Sequence, residues 1–111
     1  MNDQAALAVP PSAYDATERR AEPRLYGLFP ATVRGVDARG EEFETTTILE
    51  NISASVFCLR LKECVEVGAK LHVVARIHKA VVELRGTVVR ADTETESACC
   101  ITVEITHSKF L

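Results

Sequence analysis

Tryptophan is absent from this 111-residue chain, and all aromatic residues together make up 5% of it. A protein that grips single-stranded nucleic acid needs aromatic platforms for its bases and a basic groove for the backbone. A net charge of −3 supplies no such groove over the molecule as a whole. DNA, RNA and anionic membrane surfaces are therefore not expected partners, and any anionic ligand has to be held by a local cluster. A small nucleic-acid-binding barrel stays as an alternative from another class, with a salt-sensitive gel shift as its sign. Long apolar runs are missing too. The best candidate, "LHVVARIHKAVVEL", is broken by Arg76, Lys79 and Glu83, far short of the ~20 residues that a membrane helix needs. "MNDQAALAVPP" has no basic region ahead of its short apolar piece, so it does not read as a signal peptide. A cytoplasmic location is the expectation.

The four cysteines are badly spaced for metal. Cys58, Cys64, Cys99 and Cys100 form no C-x-x-C and no Cys/His pattern. Adjacent Cys99 and Cys100 face opposite ways if they lie on a strand, so they read as reduced thiols packed like small hydrophobes. His72, His78 and His107 show no ligand spacing, and no phosphate-cradling glycine loop or nucleophile–base pair stands out. An enzyme is not expected, nor a metal or cofactor.

What the chain does have is alternation. From Phe29 onwards apolar and polar residues trade places with a period of two. "ATVRGVDARGEEFETTTIL" reads as two strands joined at Arg39–Gly40, and "VFCLRL" as a third, with Phe57, Leu59 and Leu61 on one face. "KECVEVGAK" reads as a connection with room for one helical turn. On the fourth strand Leu71, Val73, Ala75 and Ile77 oppose His72, Arg76 and His78. On the fifth Val82, Leu84, Gly86 and Val88 oppose Glu83, Arg85 and Thr87. "ADTETES" reads as an acidic loop. The last strand turns Cys99, Ile101, Val103 and Ile105 inward, and "HSKFL" is at most one helical turn. About six short strands without a helix between them predict an all-β, six-stranded antiparallel barrel, which leaves no exposed sheet edge. Residues 1–17 read as a flexible arm, and 18–111 as the domain, including a lead-in over 18–28.

That lead-in, "ERRAEPRL", concentrates Arg19, Arg20 and Arg24 in an acidic protein. Pro23 keeps it out of a regular helix. In an extended chain Arg20 and Arg24 lie at most roughly 13 Å apart on one side. A guanidinium fork matches phosphate oxygens, and equally the O6/N7 edge of guanine. Taken alone, the cluster is equally a solvated surface paired with Glu18 and Glu22, and Asn51 and Ser53 are equally turn-formers.

Two motifs stand in order here: R-x-x-x-R at Arg20–Arg24, and "NISASV" from Asn51 to Val56 between the second and third strands. The arrangement resembles the PilZ family, small bacterial β-barrels that bind the second messenger cyclic di-GMP through R-x-x-x-R and [D/N]-x-S-x-x-G. The resemblance covers roughly residues 18–106. It implies that Arg20 and Arg24 hold phosphates and guanine edges, that Asn51 and Ser53 meet a guanine at the barrel surface, and that Arg19 goes with an intercalated pair of ligand molecules. It implies a receptor whose arm orders on binding and signals to a protein partner. Val56 departs from the pattern, standing where the family has glycine. Valine disfavours a positive φ and adds a branched side chain, so either the backbone differs there or part of the ligand platform is filled. The alternative is a degenerate module that docks on a protein, such as motility or pilus machinery, without binding the dinucleotide.

Overall fold

The alternation of buried and exposed side chains closes into a ring. The computed structural model describes residues 22–95 and 98–111. Six strands follow in chain order: β1 Leu25–Val36, β2 Glu42–Ile52, β3 Val56–Leu61, β4 Lys70–Ile77, β5 Ala80–Thr95 and β6 Ala98–Phe110. They pair antiparallel in the spatial order β1-β2-β3-β6-β5-β4, and β4 returns to β1 to close the barrel. The expected fold class is therefore the observed one. The expected arm, and Arg19 and Arg20 with it, lie outside the described residues.

The inward parity is as the pattern predicts. Val33, Leu49, Phe57, Leu59, Val73, Val88, Ile101 and Val103 expose no surface at all. The largest of them, Phe57, fills the interior from β3, and Leu71, Ala75, Leu84 and Cys99 complete the lining from the later strands. Burial of such side chains is the main stabilising term of the barrel, roughly 1.5–3 kcal/mol each.

Turns follow residue chemistry. Gly40 takes φ = +86° after β1, where Asp37 Oδ1 accepts the backbone N–H groups of Arg39 and Glu41. The β4–β5 turn needs only two residues, and His78 adopts φ = 59° there. Its ring meets Phe29 edge-on, with centroids 5.8 Å apart. At the centre of β5, Gly86 allows β6 to come close: a Cβ there would sit 2.4 Å from the carbonyl oxygen of Glu104.

Three expectations need correction. "ADTETES" is not a loop, since β5 runs on to Thr95 and only residues 96–97 separate it from β6. "HSKF" is not a helical turn, because β6 continues to Phe110 opposite Val82. The lead-in is shorter than 18–28, because β1 begins at Leu25 and pairs it with Ile52. Among the described residues there is no helix, in the β3–β4 connection or elsewhere. In all three places the strand stands mostly clear of the core, so no apolar alternation marks it.

Candidate functional site

The hairpin that joins β2 to β3 is the local device that builds the site. Ser53, Ala54 and Ser55 make a three-residue loop, closed by the Ser53 N–H donating to the Val56 carbonyl at 2.8 Å. In return the Val56 N–H donates to Ser53 Oγ at 3.2 Å. This fixes Ser53, which is only 8% exposed. A hydroxyl that accepts from its own loop in this way is a turn-former, but its hydrogen still points somewhere.

It points at Glu22. The Ser53 hydroxyl donates to Glu22 Oε1 at 2.8 Å, and the Ser55 hydroxyl donates to the same oxygen at 2.7 Å. The lead-in is thus pinned to the loop by one carboxylate oxygen. The Ser55 and Ser53 hydrogen bonds, with the charge of Arg24 nearby, hold the Glu22 carboxyl below the usual carboxylate range against a smaller opposing effect of burial. Two residues on, Arg24 Nη1 donates to Asn51 Oδ1 at 2.8 Å, across 27 positions of sequence. Pro23 between them cannot donate a backbone hydrogen bond and keeps the segment extended.

Four of the singled-out residues therefore stand together: Arg24, Asn51, Ser53 and Val56. Asn51 lies near the end of β2, opposite Tyr26 of β1 and Cys58 of β3. Val56 opens β3 opposite Glu104 of β6. Its φ is negative, so the backbone at this position does not require glycine. Its side chain is wholly buried.

Glu22 and Ser55 were not singled out in the sequence, yet they build this corner of the domain. Glu22 was read as an ion-pair partner for the arginines, but its hydrogen bonds go to the two serines. The signal that could have found it is the repeated hydroxyl of "SAS". Two donors in a tight loop suit a charged acceptor, and the only acid inside R-x-x-x-R is Glu22.

Beside this loop runs an apolar groove of about 630 Å³, lined by Ser53 and Ala54 on one side and by Ile77, His78, Val82 and Phe110 among others. Tyr26, Leu28 and Phe110 are largely exposed near the same ends of β1 and β6. Among the described residues no group of His, Cys, Asp or Glu gathers to hold a metal ion.

Residues 18–109 match the family model of the PilZ domain. The chain belongs to the PilZ family. The solved structure of the Bacillus subtilis inhibitor of motility (MotI/DgrA) is similar in fold, with a TM-score of 0.59 at 20% identity. The likeness covers 80% of this chain and 43% of that one, so this PilZ domain spans less than half of its structural neighbour. No curated protein matches the chain. Domains of this family are binding and adaptor modules, and the contact between Arg24 and Asn51 joins this domain's two family motifs. Among its described residues no helix is long and apolar enough to cross a membrane.

Proposed function

We propose that this PilZ domain is a receptor for cyclic di-GMP that reports binding to a protein partner through its lead-in. The observation that carries the reading is the Arg24–Asn51 hydrogen bond, which puts a guanidinium fork and a side-chain amide within one ligand's reach. Arg24, with Arg20 and Arg19 upstream, supplies the charge and the planar donors for phosphate and guanine. Asn51 and Ser53 supply the polar edge.

Glu22 supplies the switch. Without ligand its carboxylate holds the Ser53 and Ser55 hydroxyls that a guanine edge needs. A bound dinucleotide competes for those hydroxyls and brings phosphates beside a carboxylate of like sign. Releasing Glu22 lets the chain ahead of it order against the ligand, and the ordered arm is what a partner reads.

Calorimetric titration with cyclic di-GMP is the test, and its stoichiometry reports whether the ligand enters as a single molecule or as an intercalated pair. Arg24→Ala should weaken binding by about 1–3 kcal/mol, roughly five- to 150-fold. Glu22→Gln should strengthen it, because a neutral amide holds the serines less well and does not repel phosphate. An absence of heat with the parent and with Glu22→Gln would sink the reading.

A second reading is favoured by Val56, whose side chain is completely buried at the position the family gives to glycine. Here the domain docks on a protein without the dinucleotide. Capture of one partner, undiminished by Arg20→Ala and Arg24→Ala, is its expected signature.

A further inference from the structure

The first site occupies the end of the barrel where β1 begins. About 30 Å along β1, at its far end, a second groove of about 660 Å³ opens on the outer wall. Its lining is chemically different. Arg34, Lys70, His72 and Arg85 rim it, half-exposed Val36 is the apolar side chain among them, the bare backbone of Gly35 and Gly86 lies in its floor, and Glu42 is the carboxylate on its edge.

Strand register explains the gathering. Arg34 pairs with His72, His72 with Arg85, and Arg85 with His107. Four basic side chains thus stand in one row across β1, β4, β5 and β6, spanning about 14 Å at the usual strand spacing. The charges are incompletely matched. Glu83 serves three of these groups: His72 at 2.7 Å, Arg85 at 3.6 Å and His107 at 3.9 Å. Glu44 reaches Arg34 only at 3.9 Å, with both groups more than half exposed. Lys70 Nζ donates to Thr87 Oγ1 at 2.9 Å, a neutral partner. The forks of Arg34 and Arg85 keep donors to spare.

A β-bulge shapes the floor. Arg85 pairs with His107 and Gly86 with Ile105, so Thr106 is the extra residue on β6. Its hydroxyl donates to the Arg85 carbonyl at 3.1 Å, and it lines the groove beside Gly86. Bulges re-aim side chains and recur beside binding sites. His72 adds a buried Nδ1 with no hydrogen-bond partner.

We propose that this wall is a second anion site, for a small molecule carrying a phosphate on a flat apolar body. Arg34, Lys70 and Arg85 take the phosphate, while Val36 and the bare backbone at Gly35 and Gly86 take the body. A concave, partly apolar pocket of several hundred Å³ with a few convergent cations is the usual form of such a site. It does not depend on the dinucleotide reading.

Inorganic pyrophosphate and phenyl phosphate are the probes, followed by amide NMR on the full chain. Both should shift Gly35, Phe43, Leu71, Gly86 and Thr106, and phenyl phosphate should bind several-fold tighter because it alone has a body for the floor. Lys70→Gln and Arg85→Gln should each weaken binding about tenfold, the usual scale for a hydrogen bond to a charged group. Arg85→Gln should leave the cyclic di-GMP titration unchanged. Shifts confined to the Arg24–Asn51 end would overturn the proposal. So would shifts spread evenly over all surface arginines, equal binding of the two probes, or no response at millimolar probe. The probe maps on the parent protein decide the matter even if a variant folds poorly.

Discussion

Glu22 is a single carboxylate on which a pH dependence can be worked out. Its folded-state pKa lies below the ordinary value because the Ser55 and Ser53 hydroxyls bond the charged form. A depressed pKa stabilises the folded attachment above the unfolded pKa, and that contribution is lost as pH falls through the folded pKa. The attachment of the lead-in should therefore be intact at neutral pH and loosen in acid, below the usual carboxylate range. Amide shifts of Ser53 and Ser55 followed down in pH should show the step, and Glu22→Gln should abolish it. Cys64 offers the opposite case. Its thiol is exposed, yet the neighbouring Cys99 thiol pushes its pKa up. Less thiolate is present at neutral pH than in a free cysteine, so alkylation of Cys64 should be slower than that of a model thiol and accelerate as pH rises. Val56→Gly removes a wholly buried side chain from a backbone that does not need glycine. It should cost roughly 1.5–3 kcal/mol of stability by denaturant titration. If the valine blocks a guanine, ligand affinity should rise in the same variant.

At the scale of elements, legibility followed burial. β4 and the core part of β5 alternate cleanly because one face of each is fully inside, and their parity could be read residue by residue. Thr93, Glu94 and Thr95 are exposed together, as are Thr106 to Phe110, so neither the end of β5 nor that of β6 carries a periodic signal. The end of β5 is a strand because it pairs with the start of β6, and the end of β6 because it pairs with the start of β5, a fact that lies in another part of the chain. The two motifs marked Arg24 and Asn51 as parts of one site but not their hydrogen bond to each other, and the attachment of Glu22 to the serines was not legible, because a carboxylate beside arginines has an obvious partner nearer in sequence. Gly86 shows how much one residue can decide for an element. A methyl group there meets both the Glu104 carbonyl and a Val103 methyl below van der Waals distance. Gly86→Ala should destabilise the protein by about 1–3 kcal/mol, the range for overpacking, read as a lower denaturant midpoint with unchanged slope.

Over the whole molecule, the strand order was the part that alternation could not reveal. After β3 the chain crosses to β4, which pairs with β1 and β5, while β6 inserts between β3 and β5. This leaves the seams of the barrel unequal. β5 and β6 are joined along most of two long strands, whereas β2 and β3 share only three registered pairs, at Leu49, Asn51 and Ile52. The slip between Leu49 and Asn51 interrupts even these. The weakest ladder thus contains Asn51 and leads into the Ser53–Ser55 loop. Segments with few ladder bonds open at the lowest free energy, and functional loops are drawn from that end of the scale. Hydrogen exchange on the free protein should be fastest, among strand amides, along β2–β3 near Asn51 and slowest in the centre of β5–β6. Cyclic di-GMP should slow the β2–β3 amides most, since a ligand held by both Arg24 and Asn51 ties β1 to the edge of that seam. Protection that rises evenly around the barrel would mean that the dinucleotide acts somewhere other than this hairpin.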